Sequence, residues 1–134
     1  HYIDKYFARY PKVKEYMDNT RTMAKEKGYV ETLWGRRLYL PDINASKVMR
    51  QKAAERTAIN APLQGSAADI IKLAMLRVAN WFETENIPAK MIMQVHDELV
   101  FEVDENHLAA VMAGISHHMS HTVELSVPLL VSIG

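Results

Sequence analysis

Lys90-Met91-Ile92-Met93-Gln94-Val95-His96-Asp97-Glu98-Leu99-Val100-Phe101-Glu102-Val103 holds two apolar runs, 90–95 and 99–103, separated only by His96, Asp97 and Glu98. Two β-type runs joined through so few residues predict a tight antiparallel hairpin. Adjacent carboxylates at such a turn repel each other, and burial raises the cost of charging both. A divalent cation relieves that cost. Mg²⁺ prefers hard oxygen ligands and often takes only one or two protein carboxylates, completing its shell with water and substrate phosphates. On this reading Asp97 is the direct ligand. Strand alternation sends Glu98 to the other face of the hairpin, as an accessory carboxylate. A plain polar turn is the competing reading, because Asp is a common turn residue.

Outward from the hairpin, Asp104 is suited to cap a helix over residues 105–121, with Leu108, Val111, Met112, Ile115 and Met119 facing inward. Residues 123–132 read as a final strand, edge or bulged at Pro128. Upstream, Ala67, Ile70, Ile71, Ala74, Met75, Val78 and Trp81 form an apolar helical stripe. An Ala-rich helix precedes it, capped by Asn44 or Ser46 and running to about Asn60, where Pro62 interrupts it. Residues 29–40 alternate around Gly35 and predict a second hairpin with Arg36 and Arg37 at its tip. Residues 3–27 read as one or two helices, with Pro11 at a first turn or kink and Gly28 as terminator. Tyr2, Tyr6, Tyr10 and Tyr16 read as packing residues, and Met91 and Met93 as core. The class implied is α+β: an antiparallel sheet with a carboxylate-bearing β-hairpin and helices packed on one face.

Composition limits the functions available. Of 134 residues, 49% are hydrophobic and 24% charged, a globular balance. There is no cysteine, which excludes disulfides and zinc-thiolate sites. No apolar run reaches the ~20 residues of a membrane helix, so no membrane association is expected, and the N-terminus is not a signal peptide. The zero net charge conceals two opposite halves. Residues 1–60 carry 13 Lys+Arg against 7 Asp+Glu, and residues 61–134 carry 3 against 9. A basic half suits a polyanion and an acidic half a divalent cation, although both patterns also arise on solvated faces. His117, His118 and His121 read as a solvated helix end, with a metal site as the alternative.

Four segments, taken in order, carry a resemblance. They are Tyr6-Phe7-Ala8-Arg9-Tyr10-Pro11; Gly28 through Arg37, with Glu31-Thr32-Leu33-Trp34-Gly35-Arg36-Arg37; Ala54 through Ile71, with Arg56, Asn60, Pro62 and Gln64; and Gln94-Val95-His96-Asp97-Glu98-Leu99. Together they resemble the family A DNA polymerases over essentially the whole chain. The last segment is similar to that family's third polymerase motif, and the one before it to the long palm helix.

The resemblance implies a partial polymerase palm: residues 1–28 as the C-terminal helical part of the fingers and residues 29–134 as a palm fragment. It implies a DNA-directed DNA polymerase that transfers a nucleotide from a dNTP to a primer 3′-hydroxyl on primer-template DNA. Two Mg²⁺ ions serve the complete enzyme, which is expected to be cytoplasmic. Asp97 becomes a metal ligand, Glu98 a lesser carboxylate, and His96 a neighbour of the primer terminus. Arg56, Asn60 and Gln64 line the duplex; their four-residue spacing puts them on one helix face. Asn and Gln can donate to the purine N3 and pyrimidine O2 acceptors that all base pairs share in the minor groove. Arg36 and Arg37 are phosphate contacts or salt-bridge partners. The family's second metal-binding aspartate and its nucleotide-binding fingers helix lie upstream of such a segment. The chain therefore reads as an excerpt, inactive alone and prone to self-association through exposed apolar surface. The alternatives are a non-catalytic nucleic-acid-binding module that reuses the palm sheet, and a structural α+β domain whose His-Asp-Glu turn is incidental.

Overall fold

Pro11 cannot continue a helix but is well suited to begin one, and the chain uses it that way. In the computed structural model, which describes residues 1–134, helix α1 spans Tyr2–Arg9 and α2 spans Pro11–Lys27. Gly28 closes α2 in the left-handed region at φ 78°, its N–H bonded to the Ala24 carbonyl at 2.8 Å. The chain divides into two compact units, His1–Ala67 and Ala68–Gly134.

In the first unit, strands β1 (Tyr29–Glu31) and β2 (Arg37–Tyr39) pair antiparallel, with Val30 opposite Leu38. The 32–36 loop turns through Gly35 at φ 81°. Helix α3 begins at Val48 and runs to Thr84; its residues up to Ala67 belong to this unit. The core is Ala24, Val30, Leu40, Ile43 and Ala58, with Ala54 and Ala61 against it. Small residues on the α3 face let backbones approach closely. The expected cap differs: the Lys47 carbonyl receives the first helical N–H, from Gln51. Asn44 is occupied elsewhere, donating its amide to the Lys25 carbonyl near the end of α2. The expected break at Pro62 does not occur, and α3 continues through it. The early tyrosines do not pack inward either. Tyr2, Tyr6 and Tyr10 are exposed, and the Tyr6 ring lies against those of its neighbours Phe7 and Tyr10.

In the second unit, β3 (Ala89–Val95) and β4 (Glu98–Val103) form the expected antiparallel hairpin. Asp104 Oδ1 accepts the Asn106 N–H, capping a 3₁₀ turn at Glu105–His107 that leads into α4 (Leu108–Ser120). Val78, Val111 and Ile115 are buried here, each contributing roughly 1.5–3 kcal/mol. Ala89, Met91, Phe101 and Val103 face this cluster from one side of the hairpin. Gly114 lets α4 lie against α3 of the same unit, since a Cβ there would overlap the Trp81 ring. Leu108, expected inward, is exposed.

The single expected sheet is instead two separate two-stranded sheets, within an α+β chain. Residues 123–132 pair with neither and form no strand. Alternation marks a segment able to become a strand, but the ladder needs a partner edge. Met93, expected in the core, is half-exposed because a β-bulge intervenes: Met91 pairs with Phe101 but Met93 with Val100, leaving Ile92 unpaired.

Candidate metal-carboxylate turn and nucleic-acid interface

At the head of the β3–β4 hairpin, Gln94 pairs with Leu99 and Val95 with Glu98. Only His96 and Asp97 remain as the loop, one residue shorter than the sequence suggests. His96 has φ 55°. Two-residue hairpin loops require a positive φ at their first central position, where Gly or Asn usually sits. A histidine held there costs about 1–3 kcal/mol, and such outliers gather at functional sites. Gln94 helps to hold it, donating from Nε2 to the His96 carbonyl at 3.0 Å. Asp97 and Glu98 are exposed, and no cation of the chain pairs with either. Their oxygens are therefore available to an external cation. No group of three or more His, Cys, Asp or Glu side chains converges on a metal position. The turn fits a hard cation as a partial ligand set, with the remaining positions left to water, phosphate or other protein groups.

In the first unit, Arg56, Asn60 and Gln64 are exposed on one face of α3. Ala54, Ala58 and Ala61 occupy the opposite face against the core. The stripe is thus pointed outward by the packing of alanines behind it. Between Asn60 and Gln64 lies Pro62, whose missing N–H deprives the Ala58 carbonyl of its helical partner. One residue on, the Ile59 carbonyl accepts the Tyr16 hydroxyl at 2.9 Å.

Arg36 and Arg37 are both engaged. Arg36 Nη2 donates to the Gly65 carbonyl at 3.2 Å, and the Leu33 N–H donates to Ser66 Oγ at 3.0 Å. These bonds tie the 32–36 loop to α3. Arg37 lies 3.6 Å from Glu31 across the strand pair and 4.4 Å over the Tyr29 ring. A hydrogen bond with Tyr39, and then the charge of Tyr29, raise its pKa further above the usual guanidinium value. Both arginines therefore have structural work here, which their sequence position alone left open.

The three histidines near the end of α4 form no metal site. Arg77 Nε donates to His118 Nδ1 at 3.2 Å, and the His118 ring lies 4.8 Å from that of Trp81. His117 stacks on His121 at 4.3 Å. Burial, then the Arg77 charge, lowers the His118 pKa. Two residues of the stripe's surroundings escape sequence reading. Tyr16 looks like any apolar helix position. Gly65 does leave a signal, because glycine inside a helix calls for a reason such as close backbone approach.

The family model described as DNA polymerase family A matches residues 1–134. DNA polymerase I of Pseudomonas aeruginosa is 56% identical over 133 residues, which cover 99% of this chain and 15% of the relative. DNA polymerase I of Geobacillus stearothermophilus is 46% identical over 130 residues, covering 97% and 15%. Among solved structures, the POL domain of Pol1 from M. smegmatis in complex with DNA primer-template and dNTP is similar at a TM-score of 0.92. It is 42% identical, over 97% of this chain and 23% of that one. The chain spans about 15% of the length of the curated relatives it matches.

Proposed function

Because the chain belongs to DNA polymerase family A, we propose that it supplies part of the catalytic surface of a DNA-directed DNA polymerase, with primer-template DNA and dNTPs as substrates. The observation that carries the proposal is the His96–Glu98 turn. A costly backbone conformation presents two unpaired carboxylates at the head of a buried-faced hairpin. Residues 1–28 are assigned to the fingers and residues 29–134 to the palm. The location is cytoplasmic, where these substrates are; no helix is long and apolar enough to cross a membrane.

Two Mg²⁺ ions, when bound in the complete enzyme, activate the primer hydroxyl and neutralise charge on the transferring phosphate. Asp97 supplies a ligating oxygen, and Glu98 adds negative potential from the other side of the hairpin. His96, fixed by its backbone and by Gln94, faces the primer terminus. Asn60 and Gln64 donate to the shared minor-groove acceptors of the newest base pairs, which tests pair shape without reading sequence. Arg56 contacts phosphate, sugar or a base edge. Arg36 and Arg37 reach the DNA backbone only if their present partners release them, so their first role is to hold the β1–β2 hairpin.

The test is primer extension by the whole polymerase carrying Asp97→Ala. Turnover is expected to fall by at least about 10²-fold, the scale of losing a group that stabilises transition-state charge. Duplex affinity is expected to stay within a few-fold. Turnover within a few-fold of wild type would overturn the assignment.

A further inference from the structure

We propose that Tyr16 is a positioning residue for the outward stripe of α3: its hydroxyl, bonded to the Ile59 carbonyl, steadies the turn that Pro62 weakens. The inference rests on the reading of Asn60 and Gln64 as duplex contacts. A proline inside a helix removes one backbone bond, and its ring crowds the carbonyl four residues back. Here that carbonyl belongs to Ala58, and Ile59 is on the adjoining rung. Pro62 sits between Asn60 and Gln64. A turn free to open there would rotate one side chain relative to the other, and minor-groove donors must keep their hydrogen-bond geometry to be useful.

The chain supplies an outside donor at that point. Tyr16 comes from α2, 43 residues away, and donates to the Ile59 carbonyl at 2.9 Å in a partly buried setting. Tyr16, Thr20 and Pro62 line one shallow cleft in this unit, so the tyrosine lies beside the proline it compensates. Burial raises the phenol's pKa, against a smaller opposing hydrogen bond from Thr20. The hydroxyl therefore remains a donor throughout the pH range in which a polymerase works. A carbonyl oxygen has two acceptor sites, so the bond needs no helical rung to be broken. Phenylalanine at this position would keep the packing and lose only the bond.

The experiment measures duplex affinity and turnover of the whole polymerase, using a short primer-template. Tyr16→Phe is expected to raise the DNA Kd by about 3- to 10-fold, the usual worth of one hydrogen bond. Turnover at saturating DNA is expected to stay within about twofold, since Tyr16 touches no reacting atom. Gln64→Ala and Asn60→Ala are each expected to weaken binding. Tyr16→Phe added to Gln64→Ala is expected to cost less than the two losses combined, because both act through one contact. Pro62→Ala restores the backbone donor, so Tyr16→Phe in that background is expected to lose little affinity.

If Gln64→Ala and Asn60→Ala weaken binding while Tyr16→Phe binds like wild type, the proposal is overturned and the duplex reading stands. An unchanged Tyr16→Phe loss in the Pro62→Ala background also overturns it. If neither stripe variant weakens binding, the duplex reading falls, and the role of Tyr16 falls with it. A thermal melt of Tyr16→Phe separates the two kinds of effect. A large Tm loss with unaltered Kd marks a packing residue and sinks the proposal.

Discussion

His118 shows how a side chain on an apparently ordinary helix end acquires a charge preference. It accepts a hydrogen bond from Arg77 Nε, so it must be unprotonated at Nδ1. Around it stand Arg77 of α3, Glu85 in the turn after that helix, His117 of α4 and His121 just past its end; only Glu85 favours the imidazolium. With the folded pKa lowered, the unfolded chain binds the proton more readily. Stability linked to His118 is thus fully present above ~6.5, and is lost as pH falls through the lower folded value. We expect the Tm to drop between about pH 7 and 5, and His118→Gln to flatten that slope; an identical slope in the variant would contradict the assignment. The sequence placed these histidines near a helix end but gave no sight of Arg77, which is about 40 residues away. The same limit applies to His96. A positive φ is readable in advance where glycine stands, as at Gly28 and Gly35, whereas nothing in a histidine announces one. By contrast, the Asp97–Glu98 pair was legible, because its oddity lies in two neighbouring residue types.

At the scale of elements, local patterns were read well and pairings less well. Both hairpins and every helix but one stand close to their expected positions, since capping, periodicity and turn chemistry are local. The exception is the supposed break at Pro62. Proline makes the interruption attractive when only the chain is considered, but the Ala54–Ala58–Ala61 face is held by the core before it, and the 32–36 loop is bonded to Gly65 and Ser66 after it. The expected strand at 123–132 failed for the converse reason: its pattern is suitable, yet no edge receives it. Gly65 belongs to this scale too. Alanine would favour the helix by roughly 0.5–1 kcal/mol. Its Cβ, however, would meet Thr32 Cγ2 at 2.7 Å, with Arg36 Nη2 at 3.4 Å. A short β-branched side chain cannot swing clear, so overpacking at about 1–3 kcal/mol is expected to win. Gly65→Ala should therefore lower the Tm, and a rise would show that the 32–36 loop yields without cost.

At the scale of the molecule, both units carry large apolar side chains on their surfaces. Ile3, Tyr6, Tyr10 and Val13 are exposed in the first unit, and Ile92, Met93, Val95 and Val100 in the second. Where exposed apolar side chains gather, they mark interaction surfaces. The 134-residue chain in isolation is expected to scatter light above the monomer mass, and to incorporate no nucleotide on a primer-template with Mg²⁺. A strict monomer at high concentration would count against the first expectation, and extension above background against the second. The Arg56–Gln64 stripe falls in the unit that contains the basic half of the chain, and Asp97 and Glu98 fall in the other. What composition could not foresee was that one sheet would be two, because strand partners are chosen by the fold as a whole.

The unpaired Ile92 has one more consequence. Before it, odd-numbered residues of β3 look toward the helices; beyond it, Gln94 lies opposite Leu99, and the parity is reversed. The strand is therefore sensitive to arithmetic. Losing one residue between Ala89 and Val95 would remove the bulge and straighten the ladder, with Gln94 still opposite Leu99 and Val95 opposite Glu98. Replacing the isoleucine by another residue would leave the count intact. Position 92 acts through its presence, which bends the strand, more than through its side chain.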